Sequence, residues 1–209
     1  MTFVRARLRL SLIIALSLMV LVLPGSAQSS QWSKFDGHWW LATSNYEHEG
    51  FLSGFLLCYY EDYKKPLHST WRYSEIDSMV EQYLARDSTH LGSPMWSVLP
   101  RVMRAAGAGP YDAVDKGGEQ TEEDADFWLQ YVQDEDGQAR GKGYIEGYLA
   151  CNENLLHGRR GKYKKSAEEY VALIVQWYGY DPKTYAFRVP SREDVLVKDV
   201  LFKLRDSTK

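Results

Sequence analysis

Two nine-residue stretches, GFLSGFLLC at 50–58 and GYIEGYLAC at 143–151, repeat one spacing of two glycines and a cysteine, and they use up both cysteines of this 209-residue chain. That repetition constrains the fold more than any other feature. Glycine costs about 1 kcal/mol relative to alanine inside a helix, so a pair at equivalent places in two helices calls for a reason. Residues four apart lie on one helix face. Gly50, Gly54 and Cys58 therefore form one stripe of small side chains, and Gly143, Gly147 and Cys151 form another. A stripe without bulk lets a second backbone approach closely. In membranes this spacing is a dimerisation face, and for helices flanked by charge only the steric half of that logic transfers.

The similarity extends outward from the glycines. Trp40-Leu41 pairs with Trp128-Leu129, with an insertion of about five residues in the second copy that a surface loop tolerates. Ser74 follows Cys58 by sixteen residues and Ser166 follows Cys151 by fifteen. SPMWSVLPRVM then answers VPSREDVLVKDVLFKL. Recurrence of landmarks in one order marks a repeated structural unit. Chance likeness of two amphipathic helices explains the apolar pattern but not the Gly, Gly, Cys spacing. The predicted organisation is a signal peptide over 1–27, a helical module over 28–106, a Gly-rich acidic linker over 107–121 and a second module over 122–209.

Each module is expected to be helical. Ser44 with Glu47 makes a capping box ahead of Phe51, Leu52, Phe55, Leu56 and Tyr59, and Pro66 limits that helix. Ser74 opens a helix with Ile76, Met79, Val80, Tyr83 and Leu84 on one stripe. Ser93-Pro94 is the favoured entry to another, which Pro100 should kink or restart. In the second module, Ser166 with Glu169 is a capping box, and Ser191 with Asp194 opens the last helix over Val195, Leu196, Val200, Leu201 and Leu204. No hairpin signal interrupts the series. The fold class is all-α, two tandem pseudo-symmetric modules of three to four helices each, packed through the Gly-x-x-x-Gly helices.

In a symmetric pair, a position near the axis meets its own counterpart. Cys58 and Cys151 are such counterparts, and a bridge between them would contribute about 4–5 kcal/mol in the chain-entropy model. One geometric objection stands. Helices crossing antiparallel at the glycines would put the sulfurs at opposite ends, beyond the roughly 7 Å Cα limit. The alternative is a pair of buried free thiols acting as small hydrophobes.

Arg5, Arg7 and Arg9 precede an apolar run and PGSA, with Gly25 and Ala27 at the positions a signal peptidase reads and Gln28 as the first mature residue. The chain is thus expected to be exported, to the periplasm or beyond, where thiols meet oxidising conditions, with no stable membrane span after processing. Three of the 25 Lys and Arg lie in that leader, leaving 22 against 28 acids. An acidic surface argues against nucleic acid as a partner.

Motifs that carry chemistry are scarce. Glu47, His48 and Glu49 are adjacent, so on a helix they point apart and make no metal site. They fit a solvated helix start with a favourable dipole. His38, His68, His90 and His157 have no ligand spacing. The acids around EEDADF and QDEDGQ lack the order of a calcium loop. No nucleophile elbow, P-loop or dinucleotide fingerprint occurs. No catalytic residue, metal or cofactor is expected. The concentrated basic stretch is NLLHGRRGKYKK at 154–165, whose Arg159 and Arg160, with Trp39, Tyr59 and Tyr60, form the candidate binding surface. A solvated loop is the competing account of the charges. Trp40, with its counterpart in DFW, is assigned to the core.

The order WWL, GFLSGFLLC, SEIDSMVEQYL, SPMWSVLPRVM and its second copy resembles a loose, largely uncharacterised group of small exported bacterial helical modules. More distantly, the Gly-aromatic-x-x-Gly helix with its cysteine is similar to periplasmic immunity proteins that neutralise type VI secretion amidases. The resemblance implies a non-enzymatic protein that engages a protein partner in the envelope. It transfers no residue role, because those proteins have one compact domain with more disulfides. The alternative is an envelope hydrolase or sugar-binding protein using a cleft between the modules.

Overall fold

Asp36 opens the first helix, α1 (Gly37–Ala42), by accepting a hydrogen bond from the Trp39 amide at 3.0 Å. The computed structural model describes residues 34–63, 73–105, 128, 133–181, 186–187, 192 and 195–206, and within them the fold is all-α. After α1 come α2 (Asn45–Tyr63), α3 (Tyr73–Arg86), a 3-10 turn (Ser88–Gly92), α4 (Met95–Ala105), α5 (Glu135–Asn154), α6 (Ala167–Tyr178) and α7 (Val197–Lys203). All belong to one compact unit, Trp32–Lys209. The leader, Pro66, His68, the linker and Ser191 with Asp194 lie outside the described residues.

The centre of the unit is the pair α2 and α5, which contact each other far more than any other elements do. α3 packs on α2, α4 on α3 and α5, α6 on α5, and α7 on α6. The glycines explain why the central pair can come so close. A Cβ built on Gly50 would stand 2.8 Å from the carbonyl carbon of Arg140, and nearer still to its oxygen. On Gly54 it would meet the Tyr144 carbonyl, on Gly143 that of Glu47, and on Gly147 that of Phe51. Each glycine thus aims a Cα hydrogen at a carbonyl oxygen opposite, a weak hydrogen bond that recurs where helices touch. The register is reciprocal: a glycine on one helix faces the residue three before the matching glycine on the other.

That register also gives the direction. Gly50 meets Arg140 and Gly54 meets Tyr144, four further along each helix, so α2 and α5 run parallel. The antiparallel objection to the disulfide therefore falls away. One turn beyond the second glycines, Cys58 and Cys151 are bonded, with Cα atoms 6.2 Å apart and both residues buried. Above the glycines the flanking rings match too. Trp40 stands edge-on to Phe51 at 6.1 Å and 89°, and Trp128 to Tyr144 at 6.0 Å and 89°.

Helix boundaries follow local chemistry, with some departures from the sequence expectation. Ser166 and Glu169 make both bonds of the capping box. Ser44 caps α2 by accepting from the Glu47 amide, while the Glu47 carboxylate pairs with Lys142 on α5. As expected, α3 buries Ile76, Val80 and Leu84 and holds Ser74 in its first turn. α4 starts after Pro94, whose carbonyl accepts from Val98, and the helix continues unbroken through a buried Pro100 without restarting. α7 begins at Val197, later than expected, with Leu196 at the cap and no side-chain cap bond. A two-rung antiparallel pair, β1 (Tyr180–Asp181) and β2 (Ala186–Phe187), was not foreseen. It follows Gly179, which ends α6 in the left-handed region at φ 71°.

Candidate functional site

Three polar clusters on this scaffold are candidates for function, and they differ in what is left accessible. The first grows from the turn between α1 and α2. His48 is 3% exposed, and its Nε2 lies 2.6 Å from the Trp40 carbonyl and 2.9 Å from Thr43 Oγ1. A carbonyl only accepts, so Nε2 carries the hydrogen and cannot take a proton from Thr43. On the other side, Nδ1 is 3.0 Å from Asp77 Oδ1 on α3, an ion-pair distance off the ideal hydrogen-bond direction. Asp77 also accepts from the indole of Trp40 at 2.9 Å, and the imidazole stacks on that indole at 4.1 Å. The arrangement has the residue types of a Thr-His-Asp triad, but the donor at Nε2 disables it. It fastens α1, α2 and α3 together.

The second cluster lies between α2 and α5. Lys142 Nζ sits 2.8 Å from Glu47 Oε1, 3.6 Å from Glu146 Oε1 and 3.9 Å from Glu168 Oε1. Glu47 is 8% exposed and Glu146 3%. Burial, and then the neighbouring Glu47 charge, push the Glu146 carboxyl up to about 8, against the pull of Lys142. Burial alone would depress Lys142, but its hydrogen bond to Glu47 and the charges of Glu146 and Glu168 hold its ammonium above its usual value. Nearby, Arg140 pairs with Glu49 at 3.0 Å. The expected solvated helix start is thus corrected. Glu47 and His48 are buried, because α5 and α3 supply partners that the local sequence does not contain. Glu47 and Glu49 pair with α5 while His48 turns to α3, and no metal-binding group of His, Cys, Asp or Glu occurs among the described residues.

The third cluster is the basic loop after α5. Asn152, 2% exposed, accepts from the Gly158 amide at its backbone carbonyl and from the Arg160 amide at its side chain, and it donates to the Gly161 carbonyl. The Tyr163 hydroxyl donates to the Arg160 carbonyl, and the Tyr170 hydroxyl accepts from the Lys164 amide. His157 (φ 52°), Gly158 (φ 72°) and Gly161 (φ 116°) supply the left-handed residues that so tight a path needs. Lys162 joins the loop to the C-terminal segment through the Asp206 amide. The loop is thereby a built object with Arg159, Lys162 and Lys164 exposed and Arg160 half-buried.

The aromatic members of the expected binding surface are Trp39, Tyr59 and Tyr60. Trp39 is half-buried between Phe35 (4.8 Å) and Phe51 (5.0 Å). Tyr59 stacks on Phe55 at 6.4 Å, one step further along the same ring ladder. These two rings thus edge the core, and the Tyr60 side chain lies outside the described residues. Trp40 is fully buried, as assigned. Sequence reasoning missed Asn152, Glu146 and Lys142. Their only signal was polar character on an otherwise buried helix face.

Among the described residues no helix is long and apolar enough to cross a membrane. Comparison with family models, curated proteins and solved structures finds no match.

Proposed function

We propose that this chain is an exported, non-enzymatic binding protein of the cell envelope that engages a protein partner in an immunity-like or inhibitor-like manner. The observation that supports this reading is the basic loop. A buried asparagine and two tyrosines hold its backbone, while lysine and arginine side chains face water on a chain with a formal net charge of −3. A solvated loop needs no such anchoring. A recognition loop benefits from it, since a preformed backbone loses less entropy on binding. The partner surface would be acidic, giving fast, salt-sensitive association. The disulfide suits export, and cleavage before Gln28 is the expected processing step. The reciprocal helix contacts likewise favour descent of both modules from one copied unit.

The test is affinity capture from the native envelope, followed by mass spectrometry. A protein should be retained by the wild type, be released by salt and be lost with Lys162→Glu/Lys164→Glu. Retention of polysaccharide alone sinks the inhibitor reading.

The hydrolase alternative has one observation in its favour, a carboxyl held protonated beside a second carboxylate, the pairing used in glycoside hydrolysis. Glu146 is almost fully covered, however, and substrate would reach it only by parting α2 from α5. Cell-wall hydrolysis abolished by Glu146→Gln in a folded variant would establish that alternative.

A further inference from the structure

We propose that the buried Glu146 holds a proton beside Glu47 and their common cation Lys142, making the contact between α2 and α5 a proton-dependent clamp that loosens in alkaline medium. The charges around the site lead to this. From α2 comes Glu47, from α5 Lys142, from α6 Glu168, and from the segment before α1 Lys34. Lys142 touches all three carboxyls, and its one bond of ordinary hydrogen-bond length goes to Glu47. Glu146 Oε2 is buried without a partner, and its carboxyl and that of Glu47 crowd the same ammonium. Two bare carboxylates in that position would repel, and Glu146 Oε2 would lack a donor. A proton on Glu146 removes the repulsion and the cost of burying its charge. Glu47 then remains as the buried carboxylate opposite Lys142, with the exposed Glu168 at the rim.

The direction of the pH effect follows. The folded Glu146 keeps its proton up to about 8, whereas an unfolded glutamic acid releases it near 4.5. Between those values the folded state binds more protons, so stability falls as pH rises and levels off above the upper value. The two helices joined by this clamp also carry the disulfide and the glycine contacts, so loosening is local, at the end away from Cys58 and Cys151. An exported protein meets the pH of its surroundings directly.

Denaturation of the wild type and Glu146→Gln from about pH 5 to about pH 10 tests the clamp. In the wild type this site should raise the unfolding equilibrium constant by up to about tenfold per pH unit below the upper value. Glu146→Gln has no proton to lose and should be flatter, becoming the more stable of the two in alkaline medium. Parallel curves would overturn the proposal. A second readout does not depend on the variant's stability. Infrared spectroscopy of the wild type at neutral pH should show a protonated buried carboxyl that titrates near the upper value. Glu47→Gln should lower that midpoint. Absence of the band, or a midpoint indifferent to Glu47→Gln, would each overturn the clamp.

Discussion

Gly54 and Gly147 each sit where one hydrogen is all the opposing backbone allows. An added methyl would stand within 3.0 Å of peptide atoms on the facing helix, and backbone cannot swing aside as a side chain can. Gly54→Ala and Gly147→Ala should each cost about 3 kcal/mol or more by forced separation, and by similar amounts, because their surroundings are reciprocal. Gly92→Ala is the control, since a Cβ there meets nothing within 4 Å. Denaturant midpoints measure all three. Asn152 acts at the same scale on the loop. Asn152→Ala strips the Arg160 amide and the Gly161 carbonyl of their partners, at a cost of about 1–3 kcal/mol. Hydrogen exchange should then accelerate at Arg160.

Among the elements, α1 is the least self-sufficient. It has only six residues, too short to persist alone, and its place depends on Trp40 and the His48–Asp77 contact. His48→Ala removes the ring stacked on Trp40 and leaves Asp77, side chain 14% exposed, with the indole as its remaining stated partner. A loss of about 3 kcal/mol is expected, as for deleting a buried ring. Asp77→Ala alone, and the double variant, complete a cycle whose coupling energy measures the contact. Coupling near zero would show that His48 acts by packing on Trp40.

For the whole molecule, the decisive link is the disulfide, which spans a sequence separation of 93. Cys58→Ala/Cys151→Ala should lower stability by about 4–5 kcal/mol if loop closure dominates. Both cysteines are buried, so the native protein should resist reductant that opens the bond once the chain is denatured. Intact mass with and without denaturant, differing by two hydrogens after reduction and alkylation controls, checks this.

Helix positions were legible in the sequence because they depend on periodic or local signals, whereas the repeat offered the cysteine pairing only as one of two readings. Capping residues, apolar stripes and the four-residue spacing of small side chains all act within a turn or two of chain. Their partners did not. Whether the glycine helices run parallel depends on how the rest of the chain returns. Whether Glu47, His48 and Glu146 stay wet depends on which residues distant segments bring against them. Burial and charge pairing between Glu47 and Lys142, or His48 and Asp77, are properties of proximity in space, and a one-dimensional pattern contains no term for it.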